Sequence, residues 1–502
     1  MHTLKELYKF VQKAKPLEQD REIVDLEQDS RKIESGMVFV ALKGAHVNGL
    51  DYLKEVQDKG AVAVVVEDSN RPDPELCAAL TIPVLVLKKS LSIAALACWF
   101  YDNPSHKLGL IGVTGTNGKS TVTWLVAQWL ELMGKKCAVL GTLGCGFLPH
   151  LVKTPNTTLN ALSLQRKLHE FLAQGARYAV MEVSSIGVDQ GRVDGCRFIA
   201  GAFTNLTRDH LDYHGTMDNY AQAKEKFLGM VNNSILALNV DDEWGRKLFA
   251  TFNRAMIYSS DPDFYKSNLF AGAYLNVRHI TYRKEGMMLE VESSTGKGQC
   301  NLNLLGHFNA ANFACALCLM LINKFSLDKL LESAERLKPV TGRMECFKGR
   351  NTPYVVVDYA HTPDGVEQVL RGVREHFKDG RVWCVLGCGG DRDHGKRPIM
   401  AIKAAVFADQ AIFTSDNPRS EDPQAILRDM EAGVAMASNV ISIEDRAKAI
   451  RYAFEHAAEN DCVVIAGKGH EDYQIFKDHT VHFSDRELAA ELCGVKLEDE
   501  TE

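Results

Sequence analysis

The 502-residue chain has no excess of positive charge: 58 lysines and arginines stand against 65 aspartates and glutamates, and the net charge is −7 at pH 7. Binding to nucleic-acid phosphates calls for a basic surface, so this balance argues against a general nucleic-acid-binding protein. No apolar run reaches the length of about 18 residues that a membrane-spanning helix needs. The first six residues lack the apolar core of a secretory signal, so we expect neither membrane insertion nor a signal peptide.

The thirteen cysteines are an odd number and are scattered along the chain. In an oxidising compartment at least one would stay unpaired, so we expect a reducing cytoplasm. Cys315 and Cys318 form one C-x-x-C, but no second pair follows at zinc-binding spacing. They lie in an apolar stretch typical of a buried helix, which favours small core residues over metal ligands.

The length of the chain indicates about three domains. The chain is too long for one core, and 46% apolar with 25% charged residues is ordinary for a folded globular protein. Valine-rich runs predict strands at 37–42, 61–66 and 84–87. A turn at residues 102–105 marks the first boundary, and a second lies near Pro339. The predicted domains are residues 1–103, 104–338 and 339–502.

Strands and helices alternate in the second and third regions. A strand at 108–113, a glycine-rich turn, a helix at 120–133 and a strand at 137–140 form the unit of a parallel sheet. Further strands are predicted at 178–183, 199–204, 235–240, 354–358, 382–386, 411–415 and 462–466, and helices at 398–407 and 442–460. The pattern predicts an N-terminal α/β domain, a central parallel-sheet domain of the P-loop type and a C-terminal Rossmann-like α/β domain.

The turn at residues 112–121 has the composition of a phosphate-binding loop. Glycines let backbone N–H groups curl around a phosphate, and the start of the next helix adds positive potential. Lys119 can reach terminal phosphates, and the Ser120 hydroxyl suits Mg²⁺. The usual G-x-x-x-x-G-K-[ST] spacing asks for glycine at Val113. We interpret the turn as a nucleoside triphosphate site, which kinases, GTPases, motors and ligases all share.

Acidic and histidine side chains follow two of the predicted strands. Glu182 ends one run, and an acid at the carboxyl edge of a parallel sheet is well placed to hold Mg²⁺. His210 and His214 follow the next strand, and His210 is the better metal candidate because it lies nearer the strand end. The alternative for Glu182 is a solvated loop side chain, and the alternative for the histidines is a structural role. Lys224, taken by itself, indicates only a surface lysine on a helix.

Together these segments have an order that resembles the Mur ligases of peptidoglycan synthesis, over essentially the whole chain. The matching motifs are residues 115–120, 182–185, 204–206, 209–212, Lys224, 306–312, 342–343, 358–364, 389–393, 416–419 and 467–471. Each motif is moderately specific, and the set is highly specific. The resemblance implies the three-domain α/β fold and an ATP-dependent, ADP-forming ligase of cell-wall biogenesis.

Such ligases phosphorylate a substrate carboxylate with ATP, and an amine then displaces the phosphate. By resemblance, Ser120 and Glu182 hold one Mg²⁺, and Glu182 and His210 hold a second. Lys224 matches the lysine that family members carbamylate with CO₂ to N6-carboxylysine. The carbamate replaces an ammonium, which Mg²⁺ would repel, by an anionic oxygen ligand for the metal ion. The implied ATP contacts are Gly115, Thr116, Asn117, Gly118, Lys119, Ser120, Thr121, Asn309, Arg343, His361 and Asp364. Helix capping is the alternative for Asn309.

The resemblance also places the sugar-nucleotide substrate. Uridine diphosphate would contact Gln28, Ser30, Ala45, His46 and Val47, and the muramoyl-dipeptide would contact Asn156, Thr157, Thr158, Ser184, Gln190 and Arg192. Arg192 suits an anionic substrate because its planar fork binds carboxylate or phosphate oxygens. Relatives usually have histidine after the two serines, where this chain has Ile186. That departure does not touch the implied metal set.

The incoming amino acid would bind in the third domain. The implied contacts are Arg392, Asp416, Asn417, Pro418, Arg419, Gly467 and Glu471. Two amino acids are usual in the family, meso-diaminopimelate and L-lysine, and only the former has a carboxylate at its far end. Arg392 and Arg419 supply forks for that carboxylate, and the buried arginines would reject lysine because they would be left unpaired. We therefore expect diaminopimelate.

Other readings fit less well. A folylpolyglutamate synthase shares the ATP core but would not explain the N-terminal domain or residues 416–419. A non-catalytic muropeptide-binding protein should have lost Lys119, Glu182 or Lys224, and all three are present. A P-loop motor or kinase leaves residues 358–364 unexplained. We expect a cytoplasmic monomer whose partners are UDP-MurNAc-L-Ala-D-Glu, diaminopimelate and ATP.

Overall fold

The structure is a computed structural model that describes residues 2–12, 20–44, 47–264 and 272–497. It divides into two compact units. The first comprises Met1–Thr114, Gly134–Gly201 and Arg208–Asn232, and the second comprises Gly115–Met133, Ala202–Thr207 and Asn233–Glu502. Both hold mixed α/β structure with parallel strands, as the sequence predicts.

The helices and strands have the following bounds in chain order. The helices are α1 (Leu4–Gln12), α2 (Leu53–Asp58), α3 (Pro74–Ala78), α4 (Ile93–Phe100), α5 (Lys119–Leu132), α6 (Ala161–Ala173), α7 (Ser185–Asp189), α8 (Leu211–His214), α9 (Met217–Met230), α10 (Glu243–Thr251), α11 (His307–Ile322), α12 (Leu327–Ser333), α13 (Pro363–His376), α14 (Lys396–Phe407), α15 (Pro423–Glu431), α16 (Arg446–His456) and α17 (Asp485–Cys493). The strands are β1 (Leu26–Glu27), β2 (Val38–Ala41), β3 (Ala63–Val66), β4 (Val84–Val86), β5 (Gly109–Thr114), β6 (Cys137–Gly141), β7 (Gly144–Phe147), β8 (His150–Val152), β9 (Tyr178–Glu182), β10 (Phe198–Phe203), β11 (Leu236–Asn239), β12 (Met256–Ser259), β13 (Tyr274–Arg283), β14 (Gly286–Ser293), β15 (Gly296–Leu302), β16 (Glu345–Phe347), β17 (Tyr354–Asp358), β18 (Val382–Cys388), β19 (Gln410–Ser415), β20 (Val440–Ser442), β21 (Cys462–Ala466), β22 (Tyr473–Ile475) and β23 (Thr480–His482).

The first unit contains two groups of strands. The N-terminal group has the order β1-β2-β3-β4 and is parallel throughout, and β2 and β3 are buried along their whole length. Strands buried on both faces read as continuous apolar runs, which is why their valines were readable from the sequence. The second group has the order β5-β9-β6-β7-β8, with β5, β9 and β6 parallel. Glu182 therefore lies at the carboxyl end of a central strand.

The second unit carries the glycine-rich turn, α5, α11 and a six-stranded sheet. Helix α11 is buried on nearly all sides, and both Cys315 and Cys318 are fully buried, so their assignment as core residues is confirmed. The six-stranded sheet has the order β16-β17-β21-β18-β19-β20, with only β16 antiparallel. Its parallel strands all end at one edge, and residues 416–419 and 467–471 follow two of them there.

One helix prediction is wrong in its bounds. The predicted helix at 442–460 begins only at Arg446 and ends at His456, and residues 440–442 form the edge strand β20, which pairs with β19. Asp445 sets the true start, because its side chain accepts a hydrogen bond from the Lys448 backbone N–H at 2.9 Å. The antiparallel meander β13–β15 was not predicted either.

No helix within the described residues is long and apolar enough to cross a membrane. All thirteen cysteines lie in the described part of the chain and are free thiols there.

His376 joins two parts of the second unit. Its Nε2 accepts the Gly306 backbone N–H at 2.8 Å, and its Nδ1 lies 2.6 Å from the Arg283 carbonyl oxygen. Both contacts are satisfied only by a neutral ring protonated on Nδ1. Burial accordingly lowers the pKa of His376 from its ordinary value near 6.5.

This lowered pKa predicts a loss of stability in mild acid. Below about pH 6.5 the unfolded chain takes up a proton that the folded ring resists, so the stability is complete above that pH and falls as the pH drops. Urea unfolding at several values from about pH 8 to about pH 5.5 measures the slope. His376→Gln should show a shallower slope than the wild type, and equal slopes would contradict the assignment.

Candidate ATP and substrate sites

The phosphate-type turn lies in the second unit and is held by the segment that follows β10. The Thr116 and Asn117 backbone N–H groups donate to the Asn205 carbonyl and Oδ1, both at 2.9 Å. The Thr204 hydroxyl donates to the Asn117 carbonyl at 2.6 Å. Lys119 Nζ donates back to the carbonyls of the turn at 2.8 and 3.0 Å. The turn therefore has a fixed shape with a lysine ammonium held against it, at the start of a long helix.

Gly118 shows why this turn needs glycine. Its φ is +86°, and an added Cβ would lie 2.2 Å from Asn312 Oδ1. Asn312 Nδ2 donates to Asn309 Oδ1 at 3.0 Å, and Asn309 Nδ2 donates to the Leu305 carbonyl at 2.8 Å. Asn309 is buried, and the residue that precedes α11 is Gly306. The alternative that Asn309 caps the helix is therefore wrong, and its amide positions Asn312 beside the turn.

Glu182 is buried in the first unit, with 2% exposure. Its Oε1 accepts the Thr142 backbone N–H at 2.9 Å, and its Oε2 accepts the Thr142 hydroxyl at 3.1 Å. The alternative of a solvated loop side chain is wrong, because the carboxylate is desolvated and held at a strand end. The role of Thr142 was not predictable from the sequence, because no motif indicates its contact with a residue forty positions away.

The histidines and Lys224 are also in the first unit. His210 has a φ of +51° and is 46% exposed, with its Nε2 3.5 Å from Asp209 Oδ2. His214 is buried, its Nε2 lies 2.9 Å from Ser185 Oγ, and burial lowers its pKa. Lys224 is only 1% exposed, and its Nζ lies 4.4 Å from the centre of the Tyr220 ring. The surface-lysine interpretation of Lys224 is therefore wrong.

Most of the residues implied for the dipeptide are linked by hydrogen bonds within the first unit, and Asn156 bonds instead to Thr154. Arg192 donates to the Thr158 carbonyl at 2.7 Å and to Gln190 Oε1 at 2.6 and 3.0 Å. The Thr158 hydroxyl accepts the Ser184 N–H and donates to the Glu182 carbonyl, both at 2.9 Å. Thr157 Oγ1 lies 3.1 Å from Thr142 Oγ1, and the Asn156 carbonyl accepts the Thr154 hydroxyl.

The uridine residues are only partly described. Ala45 and His46 lie outside the described residues, and Val47 is exposed. The Gln28 backbone N–H donates to Glu27 Oε1 at 2.8 Å. The Ser30 carbonyl accepts a hydrogen bond from Lys59 Nζ at 2.9 Å.

Two of the implied nucleotide residues of the C-terminal part, Arg343 and His361, contact Tyr359 in the second unit. The Arg343 guanidinium lies 4.7 Å from the centre of the Tyr359 ring. His361 Nδ1 lies 2.8 Å from the Tyr359 carbonyl, and burial lowers the pKa of His361. Asp364 lies in the first turn of α13. A cation, an imidazole and a helix start thus meet at one edge.

The two loops implied for the amino acid meet at the same sheet edge. Gly467 has a φ of +119°, and an added Cβ would lie 2.7 Å from Asp416 Oδ2. Asn417 Nδ2 donates to Glu471 Oε2 at 2.9 Å. Arg419 Nη1 donates to the Gly390 carbonyl at 2.7 Å. Pro418 and Arg392 flank Gly389 and Gly390 in this loop cluster. The sequence-predicted set is thus brought together.

Two buried cations at this sheet edge, Arg446 and Lys468, were not singled out from the sequence. Arg446 is fully buried and donates to Asp485 Oδ1 and Oδ2, both at 2.7 Å. It also donates to the Ala466 and Ser415 carbonyls at 3.0 and 3.3 Å, the last residues of β21 and β19. Lys468 is buried beside Asn417 and Glu471. Lys468 stands in a motif that was noted, but no sequence pattern shows that it is buried.

No group of three or more histidine, cysteine, aspartate or glutamate side chains among the described residues is arranged to hold a metal ion. Mg²⁺ seldom uses such an all-protein cage, since it commonly takes one or two carboxylates together with substrate phosphates. The buried Glu182 carboxylate and the hydroxyl-bearing turn are hard oxygen donors of that kind.

Comparison with known proteins agrees with this architecture. Three family models match: the Mur ligase family catalytic domain over residues 22–101, the Mur ligase middle domain over 113–320 and the Mur ligase glutamate ligase domain over 342–469. The chain is 43% identical over 479 residues to the UDP-N-acetylmuramoyl-L-alanyl-D-glutamate–2,6-diaminopimelate ligase of Vibrio vulnificus strain YJ016, covering 95% of each chain.

The chain is also 43% identical to the ligase of the same name from Haemophilus influenzae strain 86-028NP, over 95% of this chain and 97% of that one. A solved structure of a UDP-N-acetylmuramoyl-L-alanyl-D-glutamate–2,6-diaminopimelate ligase superposes with a TM-score of 0.70 at 33% identity, covering 98% of this chain and 99% of the other. Identity at this level over nearly the whole length, together with the matching turn, acids and loops, means that the chain belongs to the Mur ligase family of ATP-dependent ligases.

Proposed function

We propose that the chain joins meso-diaminopimelate to UDP-MurNAc-L-Ala-D-Glu with hydrolysis of ATP to ADP and phosphate, and that it divides into three domains at 103/104 and 338/339. The observation that carries the proposal is the meeting of residues 416–419 and 467–471 at one sheet edge. Asn417 donates to Glu471 there, Gly467 lies against Asp416, and Arg419 donates to the Gly390 carbonyl. An arginine fork with two carboxylates matches an end group that has both a carboxylate and an ammonium. The 43% identical relatives named for this reaction support it.

The reaction has two steps. A carboxylate oxygen of the dipeptide attacks the γ-phosphorus of ATP, and ADP leaves; the amine of the amino acid then attacks the acyl carbon, loses a proton, and phosphate leaves with that oxygen. Positioning and charge neutralisation supply most of the catalysis in such a transfer. Lys119 and the start of α5 would neutralise the phosphates, and Asn309, Arg343, His361 and Asp364 would contact or position the nucleotide.

Mg²⁺ would be held by Ser120, Glu182, His210 and a carbamylated Lys224, and when bound it neutralises the phosphate oxygens. The Glu182 carboxylate supports this, because it is a buried hard oxygen donor at the end of a strand, of the kind that Mg²⁺ prefers. The burial of Lys224 supports the carbamate, because carbamylation would replace a buried ammonium by an anionic oxygen ligand for the metal ion. Arg192 and its hydrogen-bonded group would hold the dipeptide, and Gln28, Ser30 and Val47 would line the uridine end.

Replacing Arg419 tests the choice of amino acid. We expect Arg419→Ala to raise KM for diaminopimelate by about tenfold to a hundredfold and to leave KM for ATP unchanged, because a charged hydrogen bond to the far carboxylate is lost. Arg428→Ala is the matched control, since Arg428 lies on the exposed face of α15. An unchanged KM for diaminopimelate in Arg419→Ala would count against this pocket.

An amino-acid screen tests the proposed function itself. Purified protein with ATP, Mg²⁺ and UDP-MurNAc-L-Ala-D-Glu is assayed for phosphate release with diaminopimelate, L-lysine or glutamate. The proposal predicts release with diaminopimelate at least about a hundredfold faster than with the others. Preferred use of lysine would reassign the pocket, and release with none of the three would refute the proposal.

A further inference from the structure

Lys468 is a fully buried cation beside the amino-acid loops, with 0% exposure. Its Nζ donates to Asn417 Oδ1 at 3.2 Å and to Glu471 Oε2 at 3.1 Å, and it lies 5.4 Å from the centre of the Tyr473 ring. Burying an ammonium is expensive unless it is paired and hydrogen-bonded. The mechanism described above gives this charge no role, so its burial needs another explanation.

The contacts of Lys468 and Asn417 engage only one of the two carboxylate oxygens of Glu471. Glu471 Oε2 accepts both Lys468 Nζ and Asn417 Nδ2, the latter at 2.9 Å. Asn417 is itself held, because its Oδ1 accepts the Ile475 backbone N–H at 3.0 Å. Within the described residues no hydrogen bond engages Glu471 Oε1. Lys468 and Asn417 thus orient the carboxylate so that Oε1 remains able to accept a ligand ammonium.

The charge of Lys468 also sets the balance of the pocket. The far end of diaminopimelate carries a carboxylate and an ammonium and is neutral overall, whereas the far end of lysine carries one positive charge. Asp416 and Glu471 carry two negative charges against the three positive charges of Arg392, Arg419 and Lys468, so these five side chains have a net charge of +1. Removing one cation makes the pocket more negative by one charge, which favours the lysine end over the neutral one.

We propose that Lys468 is a positioning residue that determines specificity for a diamino acid with a neutral, doubly substituted far end over one that ends in a lone ammonium. The inference rests on the proposed function. Lys468 acts through Glu471, which it orients and partly neutralises, and it need not touch the amino acid.

Steady-state kinetics of Lys468→Met with diaminopimelate and L-lysine tests this. We expect KM for diaminopimelate to rise about tenfold, kcat to stay within about threefold, KM for ATP to stay unchanged, and the kcat/KM ratio of diaminopimelate to lysine to fall about tenfold or more. Lys468→Arg keeps the charge and should keep that ratio within about threefold. Lys477→Met, at an exposed lysine, is the control and should match the wild type.

A purely structural role would lower the amount of active enzyme and hence kcat, without moving either KM or the ratio. That result, or an unchanged ratio, overturns the inference. Lys468→Gln decides the matter if the Met variant does not fold, because a glutamine amide can donate to Asn417 and Glu471 without the charge and should show the same change in ratio. Absence of diaminopimelate-dependent phosphate release in the wild type would instead refute the proposed function.

Discussion

Lys224→Ala should lower kcat by about a thousandfold or more while the protein stays folded. Lys224 lies on α9 and Glu182 at the end of β9, and both side chains are almost fully buried in the first unit. If the lysine carries a carbamate, the variant removes an anionic oxygen ligand from a site where charge develops, and losses of this size are typical when one such preorganised group is deleted. Phosphate release under saturating substrates measures the effect.

The control lies on the same helix. Lys226 is exposed and donates to the Val188 carbonyl at 3.3 Å, so Lys226→Ala should keep kcat within about twofold. Carbon-13 NMR of protein equilibrated with labelled bicarbonate should show a carbamate signal in the wild type and in Lys226→Ala that is missing in Lys224→Ala. Full turnover by Lys224→Ala would show that the lysine has been assigned wrongly.

Asp485→Ala should destabilise the six-stranded sheet by about 3–5 kcal/mol, because it leaves the guanidinium of Arg446 buried without its partner. Both side chains have 0% exposure, and Arg446 also holds the last carbonyls of β19 and β21. Residues 416–419 and 467–471 follow those strands directly. The variant should therefore also raise KM for the amino acid, whereas KM for UDP-MurNAc-L-Ala-D-Glu should change little.

The same two helices supply the control for this prediction. Arg451 of α16 and Glu491 of α17 form an ion pair at 2.8 Å that is about half exposed on both sides. Glu491→Ala should cost no more than about 1 kcal/mol, since exposed pairs contribute little. Urea unfolding followed by circular dichroism compares the two variants. Equal losses would show that burial does not set the value of the Arg446–Asp485 pair.

The sequence predicted the buried parallel strands best. The strands at 354–358 and 462–466 have the bounds that were predicted, because both are short apolar runs buried on two faces and limited by polar residues. The edge strand β20 was not predicted, and its last residue, Ser442, was placed in the following helix, since a three-residue strand that is half-exposed has no clear period. The antiparallel meander β13–β15 was not predicted for a related reason, because its exposed positions carry mixed residue types.

The candidate site was predictable in residue type but not in burial. Motif order identified Glu182, Lys224 and Glu471. It could not show that Lys224 is buried or that Lys468 fixes Glu471, because both facts depend on chain segments brought together only by folding. The contact of Thr142 with Glu182 is of the same kind.

The acyl phosphate is the central claim, and oxygen transfer tests it most directly. The protein is incubated with ATP, Mg²⁺, diaminopimelate and a dipeptide substrate whose glutamyl carboxylates carry oxygen-18, and the released phosphate is analysed by mass spectrometry. The account predicts inorganic phosphate with one labelled oxygen for each amide bond formed. Unlabelled phosphate, or release of AMP and pyrophosphate, would contradict it.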